Sequence, residues 1–334
     1  MTSLAYAEMA LNVRALQMSQ MLHVVAELGL ADRIGDAPRA AVELASEGGA
    51  DPQMLVRLLR ALASFGIFAI DAAGMVSHTE KSRFLRSDAV PTLHYAARYW
   101  GMKSTWAAWG QFEHTVRTGK PGFEEAFGMP NFDYLHSHAD AGAVFNDFMR
   151  HSPDDRHNAV ARAYEFAGTV VDVGGGNGGL LQAVLANYPN AQGVLYDRPG
   201  VVAGAGEVLG PLSQRCRIVP GDFFESAPAG GDIYTLSQIL HDWKDESCLT
   251  ILGNCRKAMV PGARLLVIER VVEEVAMRTP APILLGDLHM AVLFPGAKER
   301  SLSEFAALLA ASGFDAPTLI PTDSAFSIVE ARAR

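Results

Sequence analysis

The most chemically informative segment is Val170–Gly179, which reads VVDVGGGNGG. An apolar run containing Asp172 leads into a glycine cluster, and glycine is favoured where the backbone adopts positive φ or lies against a ligand. A helical pattern follows, and the next apolar run ends in Asp197, a carboxylate that can bind both hydroxyls of a ribose. This succession of strand, glycine turn, helix and strand predicts a site for a nucleoside-bearing cofactor.

Gly174, Gly176 and Gly179 also fit the GxGxxG fingerprint of dinucleotide-binding proteins, although this pattern is weakly specific by itself. Asp172 lies two residues before the first of these glycines, at the end of the predicted strand. There a carboxylate would repel a pyrophosphate, whereas it can bind an ammonium group directly or through water. The position of Asp172 argues against a nicotinamide dinucleotide, and a nicotinamide-dependent oxidoreductase is kept as an alternative.

Two further motifs follow the third and fourth predicted strands. GDFF contains Asp222, which can accept a hydrogen bond from the exocyclic amine of adenine, and Phe223, which can cover a face of the ring. LSQILHDWKDE contains His241 in an ionisable cluster at the carboxyl end of the predicted sheet, where doubly wound folds bind their ligands. Together these motifs predict a ligand crevice that holds an adenosine-bearing cofactor.

Length and composition are typical of a globular protein with two domains. The chain has 334 residues, 49% of them hydrophobic, and no apolar stretch approaches the roughly 18–20 residues that span a membrane. Its net charge of −9 argues against a polyanion-binding protein, and its N-terminus lacks the layout of a signal peptide. Three cysteines without a CxxC pair are typical of a reducing compartment. We expect a cytoplasmic protein that binds neither membranes nor nucleic acids.

The order of predicted elements indicates an α/β protein with an additional, mainly helical domain at its N-terminus. Residues 1–98 contain short helical patterns and the hairpin Ile67–Ile70 and Met75–His78, which is the order of a winged helix. Residues 99–334 predict an aromatic-rich helical segment, at about 99–165, followed by a doubly wound, Rossmann-like parallel sheet. The predicted strands of the sheet are Thr169–Val173, Gly193–Tyr196, Arg217–Val219, Ile233–Leu236, Arg264–Glu269 and, at one edge, Ala325–Glu330.

A winged helix can bind DNA or mediate dimerisation, and the charges favour dimerisation. Residues 1–100 contain nine lysines and arginines but ten aspartates and glutamates, a poor balance for a module that must neutralise phosphates. The would-be recognition helix has Arg57 and Arg60 as its only charged residues and is apolar nearly all round, so it needs to be buried. We predict a homodimer formed through this domain, with a ligand-sensing DNA-binding regulator as the alternative.

The motifs VVDVGGGNGG, YDRPGV, GDFF, LHDWKDE and GAKER, in this order, resemble those of the class I S-adenosylmethionine-dependent O-methyltransferases of the plant caffeate and flavonoid type. Bacterial natural-product enzymes are the closer subset. The resemblance covers the whole chain, because that family also has an N-terminal winged-helix dimerisation domain. It implies that S-adenosylmethionine is the cofactor and that the acceptor is a hydroxyl, expected to be phenolic, of a small aromatic or natural-product molecule.

The resemblance also implies roles for individual residues. His241 is expected to be the general base, flanked and oriented by Glu269 and Glu299, without a metal ion. The residues expected to bind the cofactor, in addition to Asp172, are Gly174 and Gly176 at its amino-acid part, Asp197 at the ribose, and Asp222, Phe223 and Trp243 at the adenine.

Three positions depart from the family's pattern. Ser237 occupies a position where a basic residue often contacts the cofactor, four residues before His241. Ala297 replaces the second glycine of the usual GGKER. Phe294 stands where plant members can carry a polar side chain, which argues against a plant phenylpropanoid as the acceptor.

The acceptor-binding residues are also expected from the resemblance, because the family places its aromatic-rich segment over the active site. Phe145, Met149 and Met290 are the expected acceptor contacts, since methionine and aromatic side chains adapt to flat ligands. The histidines show no metal-ligand spacing with an acid, so no metal site is predicted. Some relatives use the same cofactor for hydroxylation or decarboxylation. This reaction is kept as an alternative, although an intact His241 favours methyl transfer.

Overall fold

The computed structural model describes residues 3–151, 155–275 and 278–334, which form two compact units. Within these ranges, the first unit comprises residues 3–110 and 131–151, and the second comprises residues 111–130 together with everything from residue 155 onward. The segment 99–165, predicted as one covering element, is therefore divided between the two units. None of the described helices combines the length and apolarity that crossing a membrane demands.

The first unit is mainly helical and contains a small antiparallel sheet. Its strands pair in the order β1-β3-β2, and the hairpin of β2 and β3 agrees with the prediction within one residue. Its elements are α1 (Leu4–Val13), α2 (Ala15–Glu27), α3 (Leu30–Ile34), β1 (Arg39–Ala40), α4 (Ala41–Gly48), α5 (Pro52–Ser64), β2 (Phe68–Ile70), β3 (Met75–His78), α6 (Glu80–Arg83), α7 (His94–Gly101), α8 (Lys103–Gly110), α11 (Asn131–Ser137) and α12 (Ala139–Arg150).

The helix α5 illustrates how the sequence determines this unit. Asp51 caps it, because its side chain accepts a hydrogen bond of 2.8 Å from the backbone N–H of Met54, and Pro52 occupies the first turn. Leu55, Leu59 and Leu62, at helical spacing, are buried in the core of the unit. By contrast, α1 is rich in apolar residues but buries none of them.

The second unit is built on a seven-stranded sheet with the order β11-β12-β8-β7-β4-β5-β6. The five strands from β8 to β6 are parallel to one another, whereas β12 is antiparallel to β8 and β11 is antiparallel to β12. Its strands are β4 (Thr169–Val173), β5 (Gln192–Asp197), β6 (Cys216–Pro220), β7 (Ile233–Ser237), β8 (Arg264–Glu269), β11 (Thr318–Pro321) and β12 (Ser327–Arg332). The doubly wound α/β fold is confirmed.

One detail of the sheet differs from the prediction. The last strand, expected at Ala325–Glu330, is β12, and it lies second from the edge because β11 pairs with its outer side. β11 is hard to predict because it is short, ends in Pro321 and is largely exposed, so its sequence lacks a buried apolar run.

Helices cover both faces of this sheet, and alternate residues of the central strands face opposite sides. Val171 and Val173 of β4 pack into one core, which includes Cys248 and Cys255, whereas Val170 packs into the other. The remaining elements are α9 (Phe112–Thr118), α10 (Gly122–Phe127), α13 (Arg156–Ala163), α14 (Gly179–Asn187), α15 (Pro199–Val202), α16 (Ala205–Leu209), α17 (Asp245–Ala258), β9 (Val271–Val272), α18 (Ala281–Leu293), β10 (Arg300–Ser301) and α19 (Leu302–Ala311), with 3₁₀ turns at Gly210–Arg215 and Leu240–Asp242.

The strand order positions a ligand crevice in the second unit. The chain goes from β4 outward through β5 and β6, then returns to place β7 on the opposite side of β4. The loops that follow β4 and β7 therefore diverge at the carboxyl edge of the sheet. This topological switch point is where doubly wound proteins bind their ligands.

Candidate active site

The glycine turn after β4 has the backbone geometry that the sequence predicts. Gly174 and Gly176 have φ values of +72° and +61°, which favour glycine. A Cβ atom on Gly174 would lie 2.5 Å from Cδ1 of Ile239, in the loop after β7. The Gly176 N–H donates a hydrogen bond of 2.9 Å to Oδ2 of Asp197. The structure thus brings Gly174, Gly176 and Asp197 together at the crevice.

Asp172 is fully buried below this turn and is only partly satisfied. Its Oδ1 accepts a hydrogen bond of 2.6 Å from the hydroxyl of Thr235, whereas its Oδ2 has no partner within the part of the chain that the structure describes. Burial raises the pKa of Asp172 to about 7. An unpartnered carboxylate oxygen beneath a glycine turn fits the ammonium group of an amino-acid cofactor, which would satisfy it and favour its ionised form.

Asp197 and the GDFF turn form the adenosine side of the crevice. The side chain of Asp197 accepts hydrogen bonds from the backbone N–H groups of Gly176 and Arg198. Burial raises the pKa of Asp197. Asp222 accepts a hydrogen bond of 2.8 Å from the backbone N–H of Phe224. The ring of Phe223 lies 3.4 Å from the position that a Cβ of Gly174 would occupy, so it borders the glycine turn.

Trp243 packs against the two phenylalanines of the GDFF turn. Its ring meets Phe224 edge-on at 4.7 Å and Phe223 at 6.1 Å between centroids. Asn254 of α17 holds the turn by donating hydrogen bonds to the carbonyls of Phe223 and Phe224. Glycines, acid and aromatic rings together fit a cofactor with an amino-acid end and an adenosine end.

Arg156 and Gln238 contact each other beside the loop after β7, and sequence reasoning named neither of them. Gln238 follows β7 with a φ of +54°, which is unusual for a residue other than glycine. With the amide oxygen of Gln238 oriented toward Arg156, it accepts hydrogen bonds of 2.9 and 3.2 Å from the guanidinium. Arg156, at the start of α13, is 6% exposed. No motif marks Arg156, and it lies 81 positions before Ser237, where the family often has a basic residue.

His241 lies in a cluster of carboxylates that comes from three separate chain segments. It occupies the 3₁₀ turn after β7, Glu269 ends β8, and Glu299 immediately precedes β10. Nδ1 of His241 lies 3.2 Å from Oε1 of Glu299 and 3.5 Å from Oε2 of Glu269. All three residues are buried. The structure therefore brings together the three residues that the resemblance implies.

Asp242 is a further acid in this cluster. Its Oδ1 lies 3.4 Å from Nε2 of His241, so both ring nitrogens have a carboxylate neighbour. An acid at this position, two residues before Lys244, could in principle cap the helix that follows. The N-cap of α17 is Lys244, and Asp242 faces the imidazole.

Several bonds fix the turn that carries His241. Oε1 of Glu269 accepts hydrogen bonds of 3.0 Å from the backbone N–H groups of Ile239 and Leu240. The backbone N–H of Lys298 donates a hydrogen bond to the carbonyl of His241, also at 3.0 Å. The buried Arg300 donates to the carbonyls of Leu240 and Trp243, at 2.7 and 2.8 Å. The GAKER segment thus holds the turn in place through hydrogen bonds and also supplies Glu299.

The carboxylates determine the protonation of this cluster. Burial alone would lower the pKa of His241, but the neighbouring Glu269, Asp242 and Glu299 outweigh burial and raise it to about 10. Burial raises the pKa of Glu269 to about 7 and that of Asp242 to about 6. The acids thus make His241 a stronger base than a free histidine.

The same cluster has a spacing compatible with a metal ion, which the sequence did not indicate. One donor atom each from His241, Glu269 and Glu299 lie within 4.8 Å of one another. Spacing along the chain could not reveal this group, because its members are 28 and 30 residues apart. A cation from the protein is also close, since Nη1 of Arg270 lies 3.7 Å from Oε1 of Glu299.

The residues expected to contact the acceptor fall in both units. Phe145 and Met149 lie on α12 in the first unit, where the ring of Phe145 packs near Tyr99 and Phe132. Met290 lies on α18 in the second unit, directly after the buried His289. Burial lowers the pKa of His289 to about 3, so this histidine is neutral.

The doubly wound sheet, the glycine turn and the paired acids define a nucleoside-cofactor-binding enzyme fold, and comparison with known proteins identifies the family. Residues 109–315 match the family described as the O-methyltransferase domain, and residues 13–88 match the O-methyltransferase dimerisation domain. The chain therefore belongs to the O-methyltransferase family.

Individual relatives span nearly the whole chain. It is 42% identical to the phenazine O-methyltransferase PhzM of Lysobacter antibioticus, with 94% of this chain and 92% of that protein covered. It is 40% identical to the mitomycin biosynthesis 6-O-methyltransferase of Streptomyces lavendulae, covering 91% and 87%. The crystal structure of the O-methyltransferase NcsB1 from neocarzinostatin biosynthesis, in complex with S-adenosylmethionine and 2-hydroxy-5-methyl naphthoic acid, superposes with a TM-score of 0.82 at 34% identity, covering 95% and 96%.

These comparisons confirm the predicted family, reaction class and cofactor. The chain is an S-adenosylmethionine-dependent O-methyltransferase that acts on a small molecule. They favour methyl transfer over the alternative reactions and over a DNA-binding regulator. The dimerisation domain over residues 13–88 is also identified.

Proposed function

We propose that the enzyme methylates a phenolic hydroxyl of an aromatic natural product, and that His241 is its general base. The observation that carries this proposal is the buried imidazole between carboxylates at the carboxyl edge of the sheet. The names of the relatives, which include a phenazine and a mitomycin enzyme, support a fused or substituted aromatic acceptor. The hydrophobic residues Phe145, Met149 and Met290 are proposed to contact that acceptor.

Bound S-adenosylmethionine supplies an electrophilic methyl group on a positively charged sulfur. The protein's task is then to make the acceptor oxygen nucleophilic, because a phenol with an ordinary pKa near 10 is mostly protonated at neutral pH. The neutral form of His241 takes the proton of the hydroxyl at Nε2, and Glu269 and Glu299 hold the ring and stabilise the cation that forms. General base catalysis of this kind typically contributes ~10²–10⁴-fold.

Each end of the cofactor is proposed to have its own residues. Asp172 binds the ammonium group, because its Oδ2 needs a donor. Arg156 binds the carboxylate of the cofactor's amino-acid part. It thereby supplies the positive charge that other family members often have at the position of Ser237. Asp197 binds the ribose. The remaining positions are Gly174 and Gly176, which let the cofactor approach the backbone, and Asp222, Phe223 and Trp243, which enclose the adenine.

We propose that residues 1–98 form the domain through which two copies associate as a homodimer, and that residues 99–334 form the catalytic domain. The apolar helix α1 supports this, because it buries none of its residues and Leu4 and Val13 are 76% and 73% exposed. Light scattering should give the mass of a dimer for the full chain and a smaller mass after α1 is deleted. A monomeric full-length protein would contradict the proposal. The proposed location is the cytoplasm, with no nucleic-acid or membrane partner.

Catalysis is proposed to need no metal ion, although the His241 cluster has metal-compatible spacing. The ring of His241 and the guanidinium of Arg270 already lie beside these carboxylates. Incubation with EDTA followed by desalting should leave the rate of methylation unchanged. Loss of activity that a divalent cation restores would show that this cluster binds a metal.

A screen of hydroxylated aromatics with a radiolabelled methyl donor tests the proposed reaction. We expect labelled methyl ether products from at least one phenolic class, such as hydroxynaphthoates or hydroxyphenazines, and none from the corresponding ring without a hydroxyl. Transfer confined to amines or to carbon, in a screen that includes these phenols, would contradict the proposal of a phenolic acceptor.

A further inference from the structure

The GDFF turn lies beyond the outermost strand of the sheet, so its position depends on bonds from other elements. The strand that leads into it, β6, ends the sheet and pairs only with β5. Within the turn, Oδ1 of Asp222 accepts a hydrogen bond from the backbone N–H of Phe224, which fixes the shape of the turn itself. Two buried side chains, Tyr196 and Asn254, tie the turn to the remainder of the second unit.

Tyr196 holds the turn from the side of β5. Its hydroxyl donates a hydrogen bond of 3.0 Å to the carbonyl of Asp222. The ring fits there because residue 221 is glycine, since a Cβ atom on Gly221 would overlap the tyrosine ring. Tyr196 directly precedes Asp197, so the end of one strand supports both the proposed ribose contact and the proposed adenine contact.

Asn254 holds the next two carbonyls of the turn from α17. Its side-chain NH₂ group donates hydrogen bonds of 3.0 and 2.9 Å to the carbonyls of Phe223 and Phe224. A carboxamide has two donor hydrogens, so each of them has an acceptor in the turn. The three consecutive carbonyls from Asp222 to Phe224 are thus bound by side chains of two separate elements. The backbone of the turn is therefore held from two sides.

We propose that Tyr196 and Asn254 are positioning residues that determine the selectivity of the enzyme for the adenine base of its cofactor. This inference rests on the proposed function, because it takes Asp222 and Phe223 as the adenine contacts. A carboxylate accepts a hydrogen bond from the 6-amino group only at about 3 Å and in a nearly linear arrangement. Stacking on an aromatic ring tolerates any base, because every base has a π face. A displaced turn should therefore lose recognition of the amine before it loses stacking.

Calorimetry with two ligands that differ only in the base tests this inference. S-adenosylhomocysteine carries the 6-amino group, whereas S-inosylhomocysteine has a carbonyl oxygen there and presents an acceptor to Asp222. For the wild type, the dissociation constant should be about ten- to a hundredfold lower for the adenine ligand, which is the effect of a hydrogen bond to a charged group. In Tyr196→Phe, which removes one hydroxyl, this ratio should fall about three- to tenfold. Asn254→Leu removes two donors and should lower the ratio further.

The ratio separates positioning from a general loss of stability, because a loosened fold raises both dissociation constants alike. Tyr188→Phe is the matched control for Tyr196→Phe. It removes a hydroxyl that bonds to the carbonyls of Ala161 and Tyr164, in the core on the opposite face of the sheet, and it should keep the wild-type ratio. Lys257→Met is the control for Asn254→Leu, because it removes a donor to the oxygen of Asn254 and leaves the NH₂ group bound to the turn.

The outcomes distinguish this inference from the proposals on which it rests. A ratio in Tyr196→Phe and Asn254→Leu equal to that of the wild type would overturn the inference while leaving the proposed adenine contacts intact. A ratio near one in the wild type would overturn both, since Asp222 would then not recognise the amine. Failure of the proposed acceptor or base would appear elsewhere, because this measurement contains no acceptor.

Discussion

The glycine turn and the His241 cluster lie at the same edge of one sheet, yet they are built in different ways. The turn is local in sequence, since Asp172, Gly174 and Gly176 fall within five residues, and Asp197 follows one helix later. The cluster is assembled from His241, Glu269 and Glu299, which lie on three segments. The glycine turn leaves room for a cofactor because Gly174 and Gly176 have no side chains. The His241 cluster depends instead on charged side chains that lie close together. The two regions should therefore fail in different ways when they are altered.

The largest effect is expected from His241→Ala, which removes the base and leaves the glycine turn untouched. Turnover should fall by ~10²–10⁴-fold. The dissociation constant of S-adenosylhomocysteine, measured by calorimetry, should stay within a few-fold of the wild-type value. Turnover close to that of the wild type would remove His241 from the base role, and a parallel loss of cofactor binding would mean that the two regions are not separable.

The converse change is Gly174→Ala, which should impair cofactor binding first. The added Cβ would lie 2.5 Å from Cδ1 of Ile239, and alanine at a φ of +72° is strained. We expect the dissociation constant of S-adenosylhomocysteine to rise about ten- to a hundredfold. Gly230→Ala is the matched control, because its φ is +92° but its Cβ would meet nothing within 4 Å. Equal losses of affinity in the two variants would show that strain alone, and not the crevice, is responsible.

A smaller effect within the first region is expected from Asp172→Asn. The amide keeps the hydrogen bond with Thr235 but removes the charge that faces the ammonium group. Affinity for S-adenosylmethionine should fall about tenfold. The free energy of unfolding should not fall, because a buried carboxylate with an unsatisfied oxygen is replaced by a neutral group. Unchanged affinity in this variant would exclude Asp172 as the ammonium site.

The smallest change in turnover is expected from Arg300→Lys in the second region. Lysine keeps the charge but cannot donate at once to the carbonyls of Leu240 and Trp243 and to Asp245. The turn that carries His241 loosens, so kcat should fall several-fold while KM for S-adenosylmethionine stays unchanged. A change in that KM alone would indicate that Arg300 supports the cofactor instead.

The same difference between the regions explains what could be predicted from the sequence. The fold and the glycine turn are visible there, because strands β4 and β8 are buried apolar runs and the glycines carry their own backbone signal. His241, Glu269 and Glu299 came from the resemblance, and their distances came from the structure. The contact between Arg156 and Gln238 depends on how distant segments meet, and neither residue type nor spacing reveals it. The exposed edge strand β11 and the division of residues 99–165 between the two units likewise follow from tertiary packing.

The central claim is that carboxylates on both sides of His241 control the acceptor's proton, and the pKa of this histidine tests it most directly. Nuclear magnetic resonance of ¹⁵N-histidine-labelled enzyme, with His241→Gln to assign the signal, should give a pKa raised from the ordinary value of about 6.5 to about 10. His241 should thus lose its proton only as the pH approaches 10, and because only the neutral ring can accept a proton, kcat/KM should rise with pH over the same range. A pKa at or below 6.5 would contradict the account, because burial would then outweigh the acids around the ring.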